Sequence, residues 1–189
     1  MTHISRRILV VGGAFTCMAG LAAAQSRSTV PSVRFRRIES QVKSALDFMT
    51  TKIPGTQELL EQAYGVLVMP LITKAGFTFG GAFGEGALRI KGVTVDYYTA
   101  VQATFGLQFG IQQYSHVLFF MTPEVLEGFR VSSGWQLGAD IEFVVIEESN
   151  FVGVDTTARL PSVVGVVFGQ AGLLVGATIE GTKYTRIAN

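Results

Sequence analysis

Charge is scarce in this chain. Only 15% of its 189 residues are Asp, Glu, Lys or Arg, and the formal net charge is +1, whereas soluble domains usually carry roughly 25% charged residues. So little charge, with 48% hydrophobic residues, excludes a disordered chain and a general nucleic-acid binder. The near-neutral balance also excludes long-range steering towards polyanions. Cysteine is scarcer still. Cys17 is the only one, so the chain has no internal disulfide. Histidine is confined to His3 and His116, which excludes a multi-histidine zinc centre and leaves any metal site to carboxylates. After Val66 no segment reads as long enough for a strand-to-strand helical crossover, which disfavours a doubly wound parallel fold.

The N-terminus has the three parts of an export signal. Arg6 and Arg7 precede an apolar stretch from Ile8 to Leu21, and Ala22-Ala23-Ala24 provides a small-residue cleavage site before Gln25. That apolar stretch is shorter than the roughly 20 residues a spanning helix needs. Ser5-Arg6-Arg7-Ile8-Leu9 is also compatible with a twin-arginine signal. Cys17 lies inside the signal, and Phe15 and Thr16 stand where a lipoprotein box has small residues. The expected division is a cleaved signal over 1–24, a polar leader over 25–33 and one domain over 34–189, in the periplasm or secreted, at a membrane surface. The mature chain then has 13 basic and 14 acidic residues, no cysteine and His116 as its only histidine.

Between residues 34 and 49 the apolar positions Phe35, Ile38, Val42, Ala45, Leu46 and Met49 have helical spacing. The polar side carries Arg34, Arg36, Arg37 and Lys43, with Glu39 and Asp47 among them. Basic charge near a helix start opposes the macrodipole, so helix stability does not explain it and a surface role does. After the break at Lys52-Ile53-Pro54-Gly55, Thr56 is placed to cap a short helix to Gln62, with Leu59 and Leu60 inward.

From Ala63 to Gln113 the chain combines short apolar runs with Gly76, Gly80, Gly81, Gly84, Gly86, Gly106 and Gly110. Glycine weakens a strand, so this repetition implies close backbone approach or bends in a curled sheet. Val66 to Met69 reads as a strand closed by Pro70, with a bend at Gly80-Gly81 and a turn at Lys91-Gly92. Residues 99–113 alternate cleanly. Val101, Ala103, Phe105, Leu107, Phe109 and Ile111 share a face expected to meet the core, and Gln102, Thr104, Gly106, Gln108, Gly110 and Gln112 share the other. Thr122 and Pro123 open a short helix to about Phe129. Strands are expected over 117–121, 135–146 and 150–157, a glycine-broken pair over 161–179, and an edge strand over 183–187. About eight or nine strands with three helices and no regular alternation point to an α+β fold: a largely antiparallel, strongly curved sheet or barrel-like sandwich with a few short packed helices. An outer-membrane barrel is disfavoured by the helices and by Glu147-Glu148.

Reactive chemistry has little material. His116 opens an apolar strand and reads as structural, and Asp140 with Glu142 on one strand face reads as a solvated pair. Gly81-Ala82-Phe83-Gly84-Glu85-Gly86 lacks the Lys-Ser/Thr ending of a phosphate loop, and Glu85 repels an anion there. No cofactor signature is present. Lys74 is placed to meet either an anion or a carboxylate.

Four ordered blocks carry a family resemblance. They are Tyr64-Gly65-Val66-Leu67-Val68-Met69-Pro70 with Lys74-Ala75-Gly76-Phe77, Gly80-Gly81 and Gly84-Glu85-Gly86; Phe105-Gly106-Leu107-Gln108-Phe109-Gly110; Trp135-Gln136-Leu137-Gly138-Ala139-Asp140; and residues 172–181. Together they resemble the SYLF domain, also called the YSC84-like or Las17-binding actin-regulator domain. Val167-Phe168-Gly169-Gln170-Ala171 replaces the family's tyrosine-serine-rich turn. The resemblance implies contact with membranes, partly through a basic amphipathic N-terminal segment, and with actin in eukaryotic relatives; bacterial relatives are exported. By position that segment falls on Arg34, Arg36, Arg37 and Lys43, with Lys52 nearby. An exported chain does not meet actin, so the implied partner is an anionic lipid or membrane surface, and the alternative is another envelope protein. The implied role is non-enzymatic, with no nucleic-acid partner.

Overall fold

The computed structural model describes residues 33–76, 79–105, 110–138, 143–147, 161–172 and 179–188. They form, in order, α1 (Val33–Lys52), α2 (Thr56–Gln62), β1 (Gly65–Gly76), β2 (Phe79–Ile90), β3 (Val93–Phe105), β4 (Gly110–Phe120), α3 (Pro123–Val131), β5 (Trp135–Gln136), β6 (Phe143–Glu147), β7 (Val163–Gly172) and β8 (Lys183–Arg186). One eight-stranded sheet runs β5-β8-β3-β2-β1-β4-β7-β6. Every neighbouring pair is antiparallel except β6 with β7. This is the strongly curved, largely antiparallel α+β architecture expected from the sequence, half of a barrel with three helices.

The sheet has a core on each side. On one side the helical stripe Ile38, Val42, Ala45, Leu46 and Met49 of α1, with Ile53 and Leu59, packs on Val66, Val68, Ala87, Val117, Phe119, Val164, Val166 and Phe168. On the other, Leu67, Met69, Ile72, Leu88, Leu118 and Phe120 meet α3 and the β5 and β8 region. Phe129 of α3 is the hub of that second core, with ring centroids 4.7 Å from Tyr98, 4.8 Å from Phe120 and 5.3 Å from Trp135. Burial on both faces explains why β1 opens with six consecutive buried residues and no alternation.

Several local expectations are corrected. Pro70 does not close the first strand: β1 continues past it through a register shift between Val68 and Leu71. Proline is tolerated there because a bulge needs no ladder N–H, and the Pro70 carbonyl accepts the Ser115 hydroxyl at 2.7 Å. Gly80-Gly81 makes no bend, since both pair in register with β1 and β3. Thr56 does not cap α2. Gly55, in the left-handed region, takes that place, and the buried Thr56 hydroxyl donates back to the carbonyls of Met49 and Ile53. The single strand expected over 135–146 is two, β5 and β6, at opposite edges of the sheet. β8 is not an edge strand, because β5 pairs beyond it. The strand expected over 150–157 lies outside the described residues.

Other expectations hold. Lys91 and Gly92 both have positive φ, 50° and 78°, the combination of a two-residue type I′ hairpin turn. Thr122 caps α3 by accepting the Val125 N–H, with Pro123 at its start. The glycines of β2 serve close approach to the β1 bulge: a Cβ on Gly86 would lie 2.0 Å from the Val68 carbonyl oxygen, and one on Gly84 2.5 Å from that of Leu71. Gly86→Ala therefore lowers stability by roughly 2–4 kcal/mol, an overpacking cost against backbone that cannot yield. Gly128→Ala, where an added Cβ meets nothing within 4 Å inside α3, raises it by roughly 0.5–1 kcal/mol. Chemical denaturation of the two variants checks both signs.

Candidate functional site

The stretch 99–113, expected to alternate as one run, belongs to two strands, β3 and β4, and in its described parts the sense of the alternation is the reverse of the expectation. Gln102 and Gln112 are 5% and 1% exposed, while Val101 and Ile111 are 52% and 63% exposed, and Ala103 is exposed with them. The bulky apolar residues face outward because α1 covers only the part of its side of the sheet around Val66, Val68, Val117 and Phe119. The glutamines face the α3 side, where the Gln102 amide donates to the Glu180 carbonyl at 2.6 Å. Phe105 belongs to β3, its side chain outside the described residues, as are residues 106–109.

The uncovered half of the α1 side spans four strands. Phe83 pairs in register with Thr73 and Val101, and Ala75 pairs with Gly81 and Ile111. Phe83 is 53% exposed, and Leu71, at the border with α1, is exposed too. Neither Phe83 nor Leu71 was singled out from the sequence. The period-2 pattern that would have found them was hidden by the glycines of β2 and by the bulge of β1.

Between α1 and this open half runs a groove of about 460 Å³, lined by Gln41, Ser44 and Phe48 of α1 and by Leu71, Ser115 and Phe168 of the sheet. The basic residues expected on α1 do not line it. Arg34 and Arg37 both reach Glu85 of β2, Arg37 at 3.6 Å, and Lys43 pairs with Asp47 at 2.6 Å. Arg36 and Lys52 are exposed on the same helix. α1 is held to the sheet at its start as well, where Phe35 stacks on Tyr97 at 4.3 Å and the Tyr97 hydroxyl donates to Glu39 at 2.8 Å. Burial and that carboxylate raise the Tyr97 hydroxyl to about 12.

On the α3 side the polar residues are locked into packing. His116 is fully buried, and its Nε2 lies 2.8 Å from the Tyr184 hydroxyl. Desolvation lowers the His116 pKa to about 3 and raises that of Tyr114 to about 12, so His116 is neutral near pH 7. Lys74 is 3% exposed, and among the described residues it has no carboxylate partner. Among the described residues, the space between Ile72, Ala82, Ala100, Gln102, Tyr114 and His116 is too small to hold a water molecule. Among the described residues there is also no cluster of three or more metal-ligating side chains, and no helix long and apolar enough to cross a membrane. Asp140 and Glu142 lie outside the described residues.

Residues 101–188 match the Ysc84 family, described as Las17-binding protein actin regulator. The match spans just under half of the 189-residue chain and runs from the second part of β3 through β8. In the Ysc84-matched region lie Val101 and Ile111 of the open apolar half, and the buried Gln102, Gln112 and His116. α1 and its five basic residues lie before it. No curated protein matches the chain.

The buried histidine makes stability pH-dependent. Its folded pKa is below the unfolded value of about 6.5, so the unfolded state binds more protons between the two. The contribution is complete above about pH 6.5 and is lost as pH falls towards 3, by on the order of 1 kcal/mol per pH unit. In His116→Gln that component of the acid dependence disappears. Urea midpoints of both proteins across this range measure the difference.

Proposed function

We propose that this chain is an exported, non-enzymatic module that binds an anionic lipid surface of the cell envelope. One observation carries the reading: the docked basic helix α1 and the uncharged apolar half of the sheet lie on the same side of the fold, separated by the groove along Phe48 and Leu71. Cations beside an exposed apolar patch are the combination that holds a protein at an anionic bilayer, charge supplying attraction and apolar area supplying partition. The likeness to the Ysc84 family over 101–188 supports the same reading. Its description refers to actin regulation in those proteins; for an exported chain we read the surface as directed to lipid instead.

Glu85 acts in this reading as an internal stand-in for a head group. It is largely buried, accepts from Arg34 and is ion-paired with Arg37 at 3.6 Å, so a lipid phosphate competes with it for those guanidinium groups. The measurement is vesicle flotation of the processed chain from Gln25 onward, which retains every described element. Binding is expected to vesicles rich in phosphatidylglycerol, to weaken with salt, and to weaken further when Arg34, Arg36 and Arg37 are changed to Glu. Glu85→Gln is expected to strengthen it several-fold at low salt by freeing two guanidinium groups. Absence of binding to anionic vesicles at low salt would sink the proposal.

A further inference from the structure

The apolar stripe of α1 is used up by the fold, with Ile38, Val42 and Met49 at 1%, 0% and 0% exposure. A docked α1 thus offers a membrane charge but, apart from Val33 and Phe48, little apolar surface, and most of the apolar contribution must come from elsewhere. We infer that the open half of the sheet, centred on Phe83, Val101 and Ile111 with Leu71 at its border, enters the apolar layer of a bilayer while α1 stays among the head groups. The inference rests on the lipid-surface function proposed above and identifies which part of the molecule goes in.

Three features of this face fit a bilayer. Its described residues, Thr73, Ala75, Gly81, Phe83, Val101, Ala103, Ile111 and Gln113, include no charge. Their backbone groups are paired between strands, so entry into hydrocarbon leaves few N–H or C=O groups unsatisfied. The first charges are met at its margins: Lys183 is the register partner of Val101, and Glu85, with Arg34 and Arg37, stands one pair beyond Phe83. Basic groups at two margins of an uncharged apolar face are complementary to anionic head groups beside hydrocarbon.

The test attaches an environment-sensitive dye to single cysteines in the processed chain, which has none of its own after residue 24. Phe83→Cys and Ile111→Cys report on the open half, and Glu127→Cys, on α3 at the other side of the sheet, is the control. On anionic vesicles the dyes at 83 and 111 are expected to shift to the blue and to be quenched by lipids brominated along the acyl chain, with neither change at 127. The triple variant Phe83→Ser, Val101→Ser, Ile111→Ser alters only exposed positions, so its urea midpoint is expected to stay close to that of the parent. Its partition into vesicles at high salt is expected to fall at least about tenfold, while low-salt adhesion through α1 remains. If the protein floats with vesicles while the dyes at 83 and 111 stay in water, this inference is overturned and surface binding stands. No flotation under any condition overturns both. A concentration-dependent dimer that the triple variant abolishes, without any dye shift on lipid, assigns the face to a second copy and likewise overturns it.

Discussion

Docking of the α1 stripe on Val66, Val68, Val117 and Phe119 is the interaction on which the rest depends. Burying five apolar side chains of one helix contributes on the order of 10 kcal/mol as an upper figure, comparable to the net stability of a whole domain. The same contact divides one side of the sheet into a covered part and an open part. The position of the groove, the pairing of Arg34 and Arg37 with Glu85, and the exposure of Phe83 and Ile111 all follow from where the helix stops covering the strands.

The opposite side is organised by aromatic packing and a few hydrogen bonds. Phe129 brings Tyr98, Phe120, Trp135 and Tyr184 together, and the Tyr184 hydroxyl meets His116. This explains how Gln102 and His116 come to be inside. A buried polar group is tolerable when it has partners, and Glu180 and Tyr184 supply them here. His116 is held neutral and enclosed, which suits a role in packing and gives it no access to a substrate.

Much of the fold was legible from local chemistry. The spacing of Ile38, Val42, Leu46 and Met49 announced α1, Thr122-Pro123 announced α3, and Lys91-Gly92 announced the β2–β3 turn, because each depends on interactions within a few residues. The errors came where a distant partner decided the outcome. Pro70 reads as a stop in sequence, yet a bulge opposite Gly84 and Gly86 lets the strand pass through it. Trp135 and Phe143 read as one strand, yet their partners stand at opposite edges of the sheet. In the candidate site, the basic residues of α1 were legible as a group. Their engagement by Glu85 was not, since Arg34 and Glu85 are 51 positions apart.

By itself, the sequence determined that Val101 and Ala103 would share one face of their strand and Gln102 the other, and likewise that Ile111 would stand opposite Gln112, because a strand alternates with a period of two whatever surrounds it; that the two groups belong to two strands, β3 and β4, was not legible. It also determined the basic side of α1 and the need for glycine opposite a close backbone. Which face of the strands would be covered was decided only by tertiary structure. Periodicity carries no sign: the helix that could have covered Val101 and Ile111 is spent on Val66, Val117 and Phe119, and the opposite face closes over the glutamines with its own hydrogen bonds.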